Sequence, residues 1–254
     1  MPPFRLTLPA LSLLLALPLH AQDLATTCHA TSSYDLTVEP GYLLFDRAAP
    51  APQRIWMQDG RLRVDGRSVA LSAGNRDRLV LFERELRALV PKVKAVADHG
   101  VDVAVQAVRE ESAGLGLDAA TRAELDRRLA TDAASLRQRI ATSHSTHDWH
   151  GAVAEQYAQR LASDIVPMLA ADLGQQALTA AMSGDLQRAA DLRDRATSLA
   201  EDWPSRLRRR MDVLQPQVEA LCPDIRHLAS LQQGMPDGDG TTLDLLQVRV
   251  AAGP

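Results

Sequence analysis

Residues 143–150, Ser-His-Ser-Thr-His-Asp-Trp-His, hold three of the chain's seven histidines beside hydroxyls and a carboxylate. Neutral imidazoles three or four residues apart can leave one face of a helix together, and zinc or copper accepts such nitrogens. His144, His147 and His150 are therefore the candidate metal ligands, with Asp148 one turn from His144. The His-Glu-x-x-His pattern of zinc proteases is absent, and no neighbouring acidic cluster offers a third and fourth ligand. The same residues also describe an exposed polar junction between two helices, which is the favoured reading.

A second candidate is the run Arg206-Leu207-Arg208-Arg209-Arg210. Guanidinium forks suit phosphates and carboxylates. On a helix Arg206, Arg209 and Arg210 share a face that could hold an anion, or could pair with Glu201, Asp202 and Asp212. Asp237-Gly-Asp239-Gly-Thr241 hints at a calcium loop, but an EF-hand needs Gly at its sixth position and Glu at its twelfth, where this chain has Thr242 and Val248. It reads as a flexible turn. There is no Gly-x-Ser-x-Gly elbow and no phosphate loop. The three tryptophans are too scattered for a stacking platform. No cofactor is expected.

The sulfur chemistry is plainer. Cys28 and Cys222 are the only two cysteines, and no Cys-x-x-Cys exists. In an oxidising compartment such a pair forms a disulfide. Export is expected from the first 21 residues: Arg5, an uncharged apolar run from Leu6 to Leu19, then Leu19-His20-Ala21 before Gln22. That is the layout of a cleavable signal peptide. A run of 14 residues broken by Pro9 and Pro18 falls short of the ~20 needed to span a bilayer. Cleavage after Ala21 takes the formal charge from −4 to −5, which argues against a nucleic-acid partner. The expected product is soluble and periplasmic, with no membrane anchor.

The elements that must position these groups follow from periodicity. Residues 22–72 read as a β region. Tyr34–Val38 and Gly41–Phe45 are short strands, and Asp59-Gly60 and Asp65-Gly66 separate alternating runs into a three-stranded meander. From 73 to 233 the period becomes helical. Leu79, Phe82, Leu86, Leu89 and Val93 begin one stripe, with Pro91 a kink or a new start. Asp118 caps a second helix carrying Leu125, Leu129, Ala133, Leu136 and Ile140. A third, over 151–182, carries Val153, Tyr157, Leu161, Ile165, Met168 and Leu169 with Pro167 inside it, and Gly184 and Asp185 stop it and cap a fourth over 186–201. Pro204 opens a fifth, striped by Leu207, Met211, Leu214, Val218 and Leu221, and a short helix covers 224–232. Residues 241–251 read as a strand, which needs partners at the other end of the chain. The fold class is thus α+β, mostly helical. A small antiparallel sheet from both termini packs on a multi-helix body, and 22–254 is taken as one domain.

On these features the chain resembles the YggN-like family of periplasmic proteins. They are the exported N-terminus, Cys28, the double hairpin Gln58 to Arg67, the helix reaching Val90-Pro91, and Leu221-Cys222-Pro223. The resemblance implies a Gram-negative periplasmic home and supplies neither an activity nor catalytic residues. The residues favour a non-enzymatic envelope binding or accessory module whose helices or sheet edge engage an unknown envelope protein or ligand. The alternatives are a metal-dependent hydrolase at His144, His147 and His150, and a carrier of a lipid or apolar ligand between the long helices.

Overall fold

A computed structural model describes residues 26–149 and 152–249, excluding the side chains of 152–162, 200, 201, 203 and 204. The export segment 1–21, His150 and the stripe positions Val153, Tyr157 and Leu161 lie outside what is described. The fold is α+β and mostly helical, as expected. Five strands, β2 (Asp35–Val38), β3 (Leu43–Asp46), β4 (Arg54–Gln58), β5 (Arg61–Val64) and β6 (Arg67–Val69), form one antiparallel meander in chain order. The expected three-stranded meander is therefore larger, because β2 and β3 join it through the pairs Leu36–Phe45 and Leu43–Met57.

Both Asp-Gly turns are built as the sequence implies. Asp59, Gly60, Asp65 and Gly66 all have positive φ, at 50°, 72°, 47° and 81°. That conformation gives a two-residue loop the twist its strands need. Alternation then sends Leu43, Phe45, Ile55, Met57, Leu62 and Val64 to one face, where all are buried.

That face lies on helix α1 (Ala73–Ala113), whose Ser72 side chain accepts from the Asn75 amide as an N-cap. Leu79, Phe82, Leu86 and Leu89 of α1 complete this core. The first Asp-Gly turn is held onto the helix twice. The Asp59 and Gly60 amides both donate to the buried carboxylate of Glu83, each at 3.0 Å. A Cβ on Gly60 would lie 2.9 Å from Arg76 Cγ and 3.0 Å from Val80 Cγ2, so only glycine lets the turn sit there. Burial, the stronger influence, pushes the Glu83 carboxyl up, while the two amides pull it back down.

Four further helices and a short one complete the body: α2 (Ala119–Thr142), α3 (Ala152–Met182), α4 (Leu186–Met211), α5 (Gln215–Glu219) and α6 (Cys222–Gln232). Asp118 and Asp185 cap α2 and α4 by accepting from the Thr121 and Arg188 amides. The expected break at Pro204 does not occur. α4 runs through it, as α1 runs through Pro91 and α3 through Pro167. An interior proline costs about 3 kcal/mol. Here Leu192, Leu199 and Leu207 of α4 pack with Ile165, Leu169 and Leu173 of α3, and that burial outweighs one lost hydrogen bond. The expected continuous stripe from Leu207 to Leu221 is instead split by a 3-10 turn at Asp212–Leu214. Pro216 and Pro223 then sit in the first turns of α5 and α6.

The chain ends meet, but not as one sheet. Cys28 and Cys222 form a disulfide with Cα atoms 5.1 Å apart, and both are buried in the sheet–helix core. Beside it β1 (Ala30–Thr31) pairs with β7 (Gln247–Val248) as a separate two-stranded ladder. The expected C-terminal strand is thus two residues long and does not join the meander. Leu243 and Leu245 plug the core instead; the Leu243 amide donates to the Met235 carbonyl at 2.8 Å, and the buried Gln232 side chain serves the backbone of Leu245 and Leu246. Its Oε1 accepts from the Leu245 and Leu246 amides at 2.9 and 3.1 Å, and its Nε2 donates to the Leu246 carbonyl.

Two stability tests follow. Gly60→Ala should lower stability by about 2–3 kcal/mol, from overpacking plus positive φ. Gly66→Ala, with φ of 81° but nothing within 4 Å of a new Cβ, should cost only about 1 kcal/mol by urea midpoint. Replacing both cysteines by alanine opens a loop spanning 194 positions and should cost up to about 5 kcal/mol on chain entropy, read in the same assay.

Candidate functional site

The histidine-rich segment is a junction between α2 and α3, with a 3-10 turn at Thr146–Trp149. Its organiser is Asp148. One carboxylate oxygen accepts from the Ser143 hydroxyl at 3.0 Å and from the His144 and Ser145 amides at 3.3 Å each. Desolvation, the largest influence, works upward on this carboxyl. The hydrogen bonds from Ser143, Ser145 and His144, with Arg139 nearby, outweigh it and hold the group below its ordinary range. Trp149 Nε1 donates to Ser143 Oγ at 2.8 Å, and the Arg139 guanidinium lies 5.9 Å from the Trp149 ring centre.

The junction lies along the outer edge of β2. The Val38 amide donates to the His144 carbonyl at 2.8 Å, and the Leu36 amide to Thr146 Oγ1 at 2.9 Å. Thr37 Oγ1 donates to Ser145 Oγ at 3.0 Å, and Thr146 Oγ1 to Asp35 at 2.8 Å. His147 faces two carboxylates, its Nδ1 3.4 Å from Asp35 Oδ2 and its Nε2 3.1 Å from Asp46 Oδ2. A metal ligand needs a bare ring nitrogen converging with others on one point. The carboxylates here sit at opposite nitrogens of one ring, and His144 is exposed. Among the described residues no three His, Cys, Asp or Glu side chains are arranged to hold a metal ion.

Two arginines of the candidate face, Arg206 and Arg210, meet carboxylates of the protein itself. Arg206 Nε lies 2.9 Å from Glu111 Oε2 and its Nη1 3.9 Å from Asp202. Arg210 contacts Glu110 at 2.7 Å and Glu111 at 3.4 Å. Of the expected partners Glu201, Asp202 and Asp212, Asp202 lies beside Arg206 and the Glu201 side chain is outside the described ones, while Glu110 and Glu111 come from the far end of α1. Arg209 is exposed. The Asp237 loop is likewise committed. Its carboxylate accepts from the Asp239 and Thr241 amides at 2.9 and 3.1 Å and from the Thr241 hydroxyl. The Thr241 hydroxyl is the chief cause holding the Asp237 carboxyl below its usual range. Asp239 pairs with Arg67 at 2.6 Å. An open groove of about 520 Å³ lies between the end of α6 and residues 241–248, away from the long helices where a lipid carrier would hold its cargo.

The end of the α3–α4 hairpin is not among the sites expected from sequence. There Leu178 is 54% exposed, Met182 82% and Leu186 70%. Leu178 and Met182 are one turn apart on α3, and Leu186 opens α4 across the Ser183-Gly184-Asp185 turn. The signal was available: residues 174–184 contain no charge, and Leu178 and Met182 fall off the Ile165–Leu169–Leu173 stripe. Contiguous exposed apolar side chains mark contact surfaces, whereas scattered ones do not.

A family model described as a protein of unknown function (DUF2884) matches residues 28–238. The chain belongs to that family. The match begins at Cys28 and takes in the meander, helices α1 to α6 and the Asp237 turn. No curated protein and no solved structure matches the chain. No helix among the described residues is long and apolar enough to cross a membrane.

Asp148→Ala should release the junction at a cost of about 1 kcal/mol at neutral pH, the turn being partly wet. Because the folded carboxyl titrates below its unfolded range, its contribution is complete above that range and lost as pH falls through the folded value. The gap in urea midpoint between wild type and variant should therefore shrink below about pH 4. A gap that widened there would contradict the assignment.

Proposed function

We propose that the chain is an exported, non-enzymatic envelope protein of the YggN-like kind that acts in the Gram-negative periplasm. On this reading it binds another envelope protein with the apolar end of its α3–α4 hairpin. The observation that carries the reading is the exposure of Leu178, Met182 and Leu186 on adjoining turns. The protein gains nothing in its own fold from leaving these side chains in water. The buried Cys28–Cys222 disulfide supports an oxidising compartment, and the residues before Gln22 support export by a cleaved leader.

The sheet edge is less suitable for partner binding. Residues 144–146 occupy the outer edge of β2, and Gly238 packs beside Val69 on β6, where an added Cβ would lie 3.0 Å from Val69 Cγ2. The helical tip carries no such cover among the described residues.

A photo-crosslinking residue in place of Met182 should give one discrete protein adduct in intact cells, and the same residue at exposed Ala130 should give none. Adding Leu178→Ser and Leu186→Ser should abolish the Met182 adduct. Equal adducts at both positions would end the docking proposal. N-terminal sequencing of periplasmic material should begin at Gln22, and recovery of the whole chain from cytosol would end the export proposal.

A further inference from the structure

We infer that His147 is a proton-operated clasp that fastens the α2–α3 junction over the edge of the β2 strand. A neutral imidazole has one N–H and one lone pair, whereas an imidazolium has two N–H groups and no lone pair. His147 presents Nδ1 to Asp35 on β2 and Nε2 to Asp46 on β3, at 3.4 and 3.1 Å. Either neutral tautomer turns a nitrogen lone pair toward a carboxylate. Only the protonated ring presents an N–H to both carboxylates, as a hydrogen bond to Asp46 and a longer ion-pair contact with Asp35, and only that form links two adjacent strands to the junction at once. Histidine is the side chain whose charge ordinarily changes between about pH 5 and 8.

The charged groups described nearby are engaged in other contacts. Asp148, in the same turn, is committed to Ser143 and the His144 and Ser145 amides. Arg139 of α2 reaches the Asp148 carbonyl at 3.3 Å, and Lys94 of α1 donates to the Ala141 and Ser143 carbonyls at 2.9 and 2.7 Å. His144 is exposed in the preceding residues, and Arg54 is the cross-strand neighbour of Asp46. The α3 side chains up to 162 lie outside the described ones.

The clasp has a specific consequence. The outward amides of β2 are those of Leu36 and Val38, and both are satisfied by the junction, at Thr146 Oγ1 and the His144 carbonyl. Losing the proton on His147 weakens the hold of the junction without removing those bonds. The edge then opens more often, and a strand edge is where an extended peptide can add. Protonation keeps the edge closed. The inference is independent of the apolar hairpin end proposed above.

Amide hydrogen exchange on the full mature chain tests it, at about pH 5.5 and about pH 8, either side of the imidazole range. Rates are corrected for intrinsic exchange and expressed relative to the Trp56 amide in the central strand, so that global unfolding cancels. Protection at Leu36 and Val38 should fall about two- to fivefold at the higher pH, as befits a half-exposed ion pair. In His147→Gln the same protection should be independent of pH, and in Asp46→Asn the pH response should shrink. Equal protection at both pH values in wild type would overturn the clasp. So would a response that survives unchanged in both variants.

Discussion

Everything in this fold leans on α1 finding apolar partners along its whole length. At 41 residues it is about 60 Å long, far beyond the reach of one small core. A helix of this kind draws its stability from tertiary burial more than from propensity. The chain supplies that burial three times. The first turns lie under the meander and α6, Val101 meets Ala133 and Ile140 of α2, and Val108 enters the core shared by α2, α3 and α4. Gly100 marks a close approach along the way, since a Cβ there would lie 3.3 Å from Leu214 Cδ1. The glutamates at its far end then tie α4 back through Arg206 and Arg210.

What could be read from the sequence was whatever local chemistry decides. The Asp-Gly turns were legible because few residue pairs accept two positive φ values in succession. Asp118 and Asp185 were legible because a side-chain oxygen before a helix has a defined amide to meet. The cysteines were legible because there were only two. Illegible features were those decided by distant contacts. Pro204 is a strong local stop, yet α4 continues because Leu199 and Leu207 on either side of it are held by α3. The C-terminal alternation from Leu243 to Val250 looks like a strand. Most of it is instead a core plug whose backbone at Leu245 and Leu246 is met by one glutamine side chain from α6.

The candidate sites show the same division. Residue types near the histidines were visible, but their destinations were not. Asp148, Asp237, Glu83, Asp172 and Gln232 all have the chemistry of reactive or ligating groups. Each instead accepts backbone amides in a turn, a helix start or the C-terminal segment. Irregular backbone that is partly buried must find partners, and carboxylates can take two or three amides at once. A sequence with three proline-bearing long helices and many non-helical connections needs many such groups. That demand absorbs polar side chains which would otherwise invite catalytic readings. The arginine face follows suit, since Arg206 and Arg210 meet Glu111 and Glu110, roughly a hundred residues away in sequence, which no local window could have shown.

The apolar hairpin end is the exception, because none of the described cores accounts for it. A turn between two helices works well with polar residues, and Ser183-Gly184-Asp185 already supplies the C-terminal stop and the next N-cap. Leu178, Met182 and Leu186 flank that turn without contributing to the described cores. Full burial of such side chains is worth about 1.5–3 kcal/mol each, a few kcal/mol for the three together. Alone they fall well short of the ~800 Å² per partner of a stable protein interface. They suit the apolar centre of a larger contact whose rim is polar, and the charged first turns of α4, from Asp185 to Arg188, adjoin them as such a rim.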